Sequence, residues 1–379
     1  MKTDDYQICT TCVMDTSDPA ISFDSRGRCV YCINFQKYIE PGWHADGSAE
    51  LTLRAELDRI KQIGADKEFD CILGLSGGLD SSYLLHLMIT EYAMRPLVFH
   101  VDGGWNSELA THNISVLVDS LGIDLYTEVI QWNEMQSFQL ACFRAGIPHL
   151  DMPQDHAFVA TLYRFAEKNN INVILNGGNF ATEGVMPPKA LYYYGTDMRH
   201  IRDLTKKFGT VAMQTYPFSS VLRHKLYLRY AKRVRVLKPL NQVKYVQAEA
   251  KSTLEKEYGW RAYRQKHFES HFTRFYEGYW LPSRFGYDIR RSQYSSLIIS
   301  GQMTREDAFE KLTLPPLTDL ESAQDFSFVA SKLGISEDEL QHYLNMPKRS
   351  YHDYKNSEIL FEVGARISRL VRMERSIKQ

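Results

Sequence analysis

Asp70-Cys71-Ile72-Leu73-Gly74-Leu75-Ser76-Gly77-Gly78-Leu79-Asp80-Ser81-Ser82 is the stretch that decides the fold. Its short apolar run reads as a buried parallel strand, and the glycine pair turns the chain into a helix with apolar positions at Leu84, Leu87, Met88 and Tyr92. Strand, glycine turn and helix N-terminus together make an anion site. Gly77 and Gly78 let backbone N–H groups approach phosphate oxygens, and the hydroxyls of Ser76, Ser81 and Ser82 add donors. Asp80 sits awkwardly beside phosphates unless a cation intervenes, and a magnesium ion, bound through a carboxylate plus phosphate oxygens, resolves the conflict.

Outward from this turn, Pro96 to Gly104 reads as a second strand, Leu125 to Ile130 as a third and Ile171 to Asn176 as a fourth that ends at Gly177-Gly178-Asn179. Helical patterns separate them, the last with Asp155 as its expected N-cap and Phe158, Val159, Leu162 and Phe165 along it. Strands alternating with helices predict an α/β fold with a doubly wound parallel sheet. Such sheets bind ligands at the carboxyl ends of their strands, where Ser76, Asp102 and Gly177 all fall. If the ligand is a nucleotide, Asp102 approaches its adenosine or the magnesium; the alternative is that it caps the next turn.

The SGGxDSS run resembles the signature of the PP-loop ATP-pyrophosphatases, a HUP-like branch of α/β folds. It lacks the Gly-Lys-Ser/Thr ending of a Walker A loop. The resemblance implies that ATP is cut between its α- and β-phosphates, with pyrophosphate held on the loop and AMP transferred.

Cys9-Thr10-Thr11-Cys12 and Cys29-Val30-Tyr31-Cys32 supply four of the six cysteines. Two CxxC turns brought together close a tetrahedral zinc site, and four thiolates leave no open position for water or substrate, so the expected role is structural. The breaker-rich stretch Pro41 to Ser48 reads as a linker to a helix bearing Leu53, Leu57, Ile60 and Ile63. Three regions are therefore expected: a zinc knuckle and linker over 1–48, a PP-loop domain over 49–240, and a helical region over 241–379 that closes over the sheet.

A chain of 379 residues with 44% hydrophobic content can bury a full core. The 45 basic against 46 acidic residues give a net charge of -1, with no global drive toward nucleic acid or membrane. Residues 1–5 lack the apolar core of a secretory signal, and no stretch reaches the roughly 18 apolar residues of a membrane span, so a cytoplasmic protein is expected. Arg366, Arg369, Arg372 and Arg375 form a basic run that reads as a solvated helix.

The CxxC pairs, the PP-loop, Lys266-His267-Phe268-Glu269-Ser270 with Phe272-Thr273-Arg274-Phe275, and Phe285-Gly286-Tyr287-Asp288-Ile289-Arg290, in that order, resemble the N-acetyl sugar amidotransferases of bacterial surface-polysaccharide and flagellin-glycan biosynthesis. Arg290 stands where the family often has lysine. The resemblance implies conversion of an acetamido group on a sugar nucleotide to an acetamidino group, through adenylation of the amide oxygen. Lys266, Arg274 and Arg290 are the candidate cations for the phosphates, each with pairing to an acid as the alternative. It also implies that a separate glutaminase and cyclase-like barrel supply ammonia, since Cys9 is committed to zinc and Cys142 lacks a nucleophile context. Phe275, Tyr279 and Trp280 are either the docking surface for them or core. Two other functions compete: a tRNA-thiolating enzyme, which needs cysteines beyond Cys71 and Cys142, and a nucleotide-binding scaffold without turnover.

Overall fold

The computed structural model describes residues 6–223 and 232–366. Five parallel strands, β1 (Cys71–Gly74), β2 (Pro96–Asp102), β3 (Leu125–Val129), β4 (Val173–Leu175) and β5 (Arg235–Leu237), form one sheet in the order β3-β2-β1-β4-β5. The helices are α1 (Val30–Tyr38), α2 (Glu50–Ile63), α3 (Leu79–Thr90), α4 (Glu108–Leu121), α5 (Trp132–Ala145), α6 (Met152–Lys168), α7 (Phe180–Glu183) and α8 (Met198–Phe208). After β5 come α9 (Gln247–Tyr258), α10 (His271–Phe275), a π-helical segment (Tyr276–Phe285), α11 (Arg290–Ile299), α12 (Arg305–Thr313), α13 (Asp319–Lys332) and α14 (Glu337–Asn345).

Side chains alternate across the pleat, so each strand feeds two cores. Cys71, Leu73 and Val98 face Leu53, Leu57, Leu84, Met88 and Leu117 of α2, α3 and α4, whereas Ile72, Leu97, Phe99 and Val101 face Phe138, Cys142 and Ala157 of α5 and α6. The fold is a doubly wound α/β sheet. Residues after position 240 enter both cores: Tyr245, Leu254 and Trp260 join the first, and Phe272, Tyr276, Trp280 and Leu340 the second. Phe275 and Trp280 are fully buried and Tyr279 packs against them, so this aromatic group is core and not a docking surface.

Two local expectations change. Residue Asp151, not Asp155, precedes α6, and Asp155 lies in its first turn. The strand β5 carries no apolar run, two of its three residues being exposed, which is why alternation does not reveal it. Arg366 is exposed and helical, while Arg369, Arg372 and Arg375 lie outside the described residues.

Strand order reverses between β1 and β4, and the crevice at that switch opens beside the loop that leaves β1. Gly77 shapes this loop with φ of 81°, and a Cβ there would stand 2.9 Å from the Ala110 carbonyl oxygen. Gly77→Ala therefore costs about 1–2 kcal/mol from the left-handed backbone alone, plus the displacement of α4. Urea unfolding of the variant should show this loss, and an unchanged midpoint would refute the loop geometry.

Candidate active site

The turn after β1 is tied to itself by short polar contacts. Ser76 Oγ lies 3.1 Å from Ser81 Oγ, the Gly78 N–H donates to Ser76 Oγ at 3.2 Å, and Ser81 Oγ donates to the Gly78 carbonyl at 3.2 Å. The Gly77 carbonyl is taken by Trp260 Nε1 at 3.2 Å and Tyr263 Oη at 3.1 Å. With that carbonyl turned away and held, the loop offers its donors to the crevice. Ser82 is fully buried, and its hydroxyl has no described partner.

A cavity of about 710 Å³ opens on this loop. Ser76, Gly78, Asp80 and Ser81 line it together with Gly177 from the end of β4 and Thr182 and Glu183 of α7. Gly77, Ser82 and Asp102 are not among the lining residues, so the buried Ser82 hydroxyl is not a donor to this cavity. Asp102 Oδ1 instead accepts the Gly104 N–H at 2.7 Å and caps the turn after β2.

Asp80 is fully engaged. Tyr245 Oη donates to Oδ1, while Thr182 Oγ1 at 3.2 Å and Lys266 Nζ at 3.1 Å donate to Oδ2. Burial works against the carboxylate, but the Lys266 charge and these hydrogen bonds outweigh it and hold Asp80 below the usual range. Lys266 Nζ also donates to Thr182 Oγ1 at 3.0 Å and Glu183 Oε1 at 2.8 Å. Burial disfavours its charge, and the two carboxylates overcome that and raise its pKa. Asp80, Thr182 and Glu183 thus form a nest of three oxygens around one ammonium. Hard oxygen donors of this kind also suit magnesium, and an incoming cation would free Lys266 for a phosphate.

Of the three cations singled out in the sequence, only Lys266 reaches the cavity. Arg274 pairs with Asp325 at 3.1 Å and Glu321 at 3.5 Å, which fixes α10 to α13. Arg290 is buried, pairs with Asp288 at 2.5 Å and donates to the carbonyls of Lys311 at 3.1 Å and Leu314 at 2.8 Å. Both are spent on structure.

The cation that charge patterning missed is His267. Its Nδ1 lies 3.1 and 3.3 Å from the two oxygens of Glu277, a buried residue of the π-helical segment that also accepts from Tyr192 Oη at 3.1 Å. Since Nδ1 is occupied, Nε2 is the nitrogen left for the cavity that His267 lines. Burial disfavours the imidazolium, but Glu277 prevails and lifts its pKa to about 9. The backbone at His267 has φ of 68°, a left-handed conformation uncommon outside glycine. Neighbouring Glu269 has its Oε1 2.8 Å from where a Gly78 Cβ would stand, and burial lifts its pKa. Pairing between the two chain segments holds these residues over the loop: Ser107 N–H donates to the Glu269 carbonyl at 2.9 Å and His271 N–H to the Trp105 carbonyl at 2.8 Å.

The knuckle gathers Cys9, Cys12, Cys29 and Cys32, all buried. Sγ separations are 3.8 Å for Cys9 and Cys32, 3.7 Å for Cys12 and Cys29, and 3.6 Å for Cys29 and Cys32. A tetrahedron with bonds of about 2.3 Å has edges of about 3.8 Å, so the four sulfurs fit zinc. Arg305 clamps the site from α12, donating to the Cys12 carbonyl at 3.0 Å and the Cys9 carbonyl at 2.7 Å. Cys71 and Cys142 are fully buried and burial pushes both thiols up, so neither is disposed to be a nucleophile.

Residues 269–368 match the family described as LPS biosynthesis protein WbpG-like, C-terminal domain. No curated protein matches the chain. Solved structures similar to it include NMN synthetase from Francisella tularensis, 13% identical with a TM-score of 0.32 over 79% of this chain and 96% of that one. NH3-dependent NAD synthetase from Campylobacter jejuni is 14% identical with a TM-score of 0.28 over 79% and 98% of the two chains. NAD+ synthetase from Burkholderia pseudomallei is 18% identical with a TM-score of 0.25 over 60% and 96%.

The sulfur geometry predicts one zinc per chain in freshly purified protein. Changing any of the four cysteines to serine should lower both zinc content and the thermal unfolding midpoint. Elemental analysis that finds no zinc in the folded wild type would overturn the assignment.

Proposed function

From a WbpG-like LPS-biosynthesis domain over residues 269–368 joined to a PP-loop sheet, we propose an ATP-dependent, AMP-forming amidotransferase that turns the acetamido group of a sugar nucleotide into an acetamidino group. The observation that carries it is the convergence of Asp80, Glu183, Lys266 and His267 on one cavity above the loop. Such a set suits the departure of pyrophosphate better than a scaffold needs. An amide oxygen is a poor leaving group. Its attack on the α-phosphorus forms an O–P bond and expels pyrophosphate, giving an O-adenylyl imidate, and ammonia then adds to the carbon and AMP leaves with the oxygen.

The chain's own groups have separable tasks. Loop N–H groups and the Ser76 and Ser81 hydroxyls hold pyrophosphate oxygens, and Lys266 and His267 offset charge as it builds on them. Asp80, Thr182 and Glu183 would hold magnesium, which supplies Lewis-acid neutralisation of the phosphates. Glu277 keeps the His267 ring oriented and protonated. The zinc would be structural, since all four ligand positions are cysteines. Domain limits near residues 48 and 240 and a cytoplasmic location belong to the same proposal, as do glutaminase and cyclase-like partners that deliver ammonia. The enclosed Cys71 and Cys142 favour this over tRNA thiolation, which needs an accessible sulfur carrier.

Incubation with ATP, magnesium, ammonium and a panel of acetamido sugar nucleotides should yield a product in which NH replaces O by mass, with AMP and pyrophosphate. Glutamine as sole nitrogen source should be inert until the partner is added. Folded Asp80→Asn should be slower by about 100-fold or more. Turnover with glutamine alone at the ammonium rate would sink the partner requirement, and ADP as product would sink the AMP-forming chemistry.

A second prediction concerns pH. The His267 charge is complete below its ordinary value of about 6.5 and is lost only as pH rises through about 9, so AMP formation should fall over that upper range. In Glu277→Gln the largest raising influence is gone while burial, Lys266 and the weaker pull of Glu269 remain, so the falling limb should move to lower pH. Superimposable profiles would remove His267 from the reaction.

A further inference from the structure

The cavity has a second wall that the ATP chemistry leaves unused. Gln247 and Lys251 of α9, Gln293, Tyr294 and Leu297 of α11, and Lys311 of α12 are part of its lining. Two groups on this wall have no side-chain partner among the described residues. Gln293 Nε2 is buried without a hydrogen-bond partner. Lys311, exposed on α12, pairs with no carboxylate, whereas Arg264 pairs with Glu321 at 2.8 Å and Lys251 with Glu255 at 3.8 Å. An orphaned buried amide donor is costly unless a ligand accepts from it. An unpaired ammonium on a ligand cavity calls for an anion. The triphosphate already has the loop, Lys266 and His267, and adenosine is uncharged, so ATP has no need of this further cation.

We propose that Gln293, Tyr294 and Lys311 form the acceptor subsite: Lys311 meets the phosphate of the nucleotide sugar, Tyr294 offers a ring face, and Gln293 donates to an acceptor oxygen. The assignment rests on the proposed reaction, whose acceptor bears phosphate, and it names the residues that choose the acceptor. Because α11 and α12 lie within residues 269–368, the WbpG-like region carries this choice while the sheet carries activation. These are specificity residues, and none of them touches Asp80, Lys266 or the loop through a described hydrogen bond.

Calorimetric titration of the full chain with UDP-N-acetylglucosamine and with CMP-N-acetylneuraminate tests this, each with and without saturating α,β-methylene-ATP and magnesium. Lys311→Ala and Gln293→Leu should each weaken the nucleotide sugar that the wild type binds by about tenfold, the size of a lost charge-assisted or buried hydrogen bond. Affinity for the ATP analogue should stay within about twofold. Unchanged sugar-nucleotide affinity in both variants would overturn the subsite while leaving the reaction intact. Parallel loss of analogue affinity would assign the wall to ATP and overturn it too. A wild type that binds the analogue but neither nucleotide sugar overturns the subsite. Failure of the activation chemistry reads out separately, as a wild type that does not bind the analogue.

Discussion

One ammonium group ties the molecule together at the cavity. Lys266 Nζ is held by oxygens of Asp80, Thr182 and Glu183 at 2.8–3.1 Å, and these residues come from the helix after β1, the helix after β4 and the segment that follows α9. Each contact alone is modest in a partly solvated site. Their joint effect is geometric, because a cation between two carboxylates fixes the distance between two helix starts that no backbone hydrogen bond connects. The half-buried charges tolerate one another only as a set, since removal of the lysine would leave two carboxylates facing each other.

The knuckle bears on this arrangement at one remove. Arg291 donates to the Val13 carbonyl at 2.7 Å and pairs with Asp15, and Val13 N–H donates to Ser295 Oγ at 3.2 Å, which fixes the knuckle to α11. The same helix holds α7 through Ser296 Oγ, which accepts the Val185 N–H at 2.9 Å, and through Ser300 Oγ, which donates to the Ala181 carbonyl at 3.0 Å. The Phe35 ring of α1 lies against Gly184, the residue after Glu183. The cysteine knuckle thus supports the position of a cavity carboxylate although none of its four cysteines lines the cavity.

The strands β1 to β4 and the loop were legible because local pattern specifies them: short runs rich in apolar residues and, after β1, β2 and β4, glycine where the backbone must turn. The strand β5 was not, because a short strand at a sheet edge with exposed side chains carries no such run. Among the candidate residues, Lys266 could be singled out from its motif, but Arg274 and Arg290 share its charge and its neighbourhood in sequence. Only their partners Asp325 and Asp288 separate the three, and Asp325 lies some way down the chain. Thr182 and Glu183 were hidden for the same reason, since nothing local distinguishes them from any helix start. His267 stood in a quoted motif, yet its charge depends on Glu277, which reaches it only through the π-helical segment and the left-handed turn at position 267.

The pairing of residues 105–107 with 269–271 has a consequence for biosynthesis of the chain. Asp80 and Lys266 are 186 positions apart, so the loop emerges from the ribosome long before the residues that complete its surroundings. Until then the nascent sheet carries its glycine turn with neither Lys266 nor His267 beside it. Contacts of such sequence separation form late and slowly. A growing or truncated chain therefore presents the turn alone, without the side chains that complete its cavity.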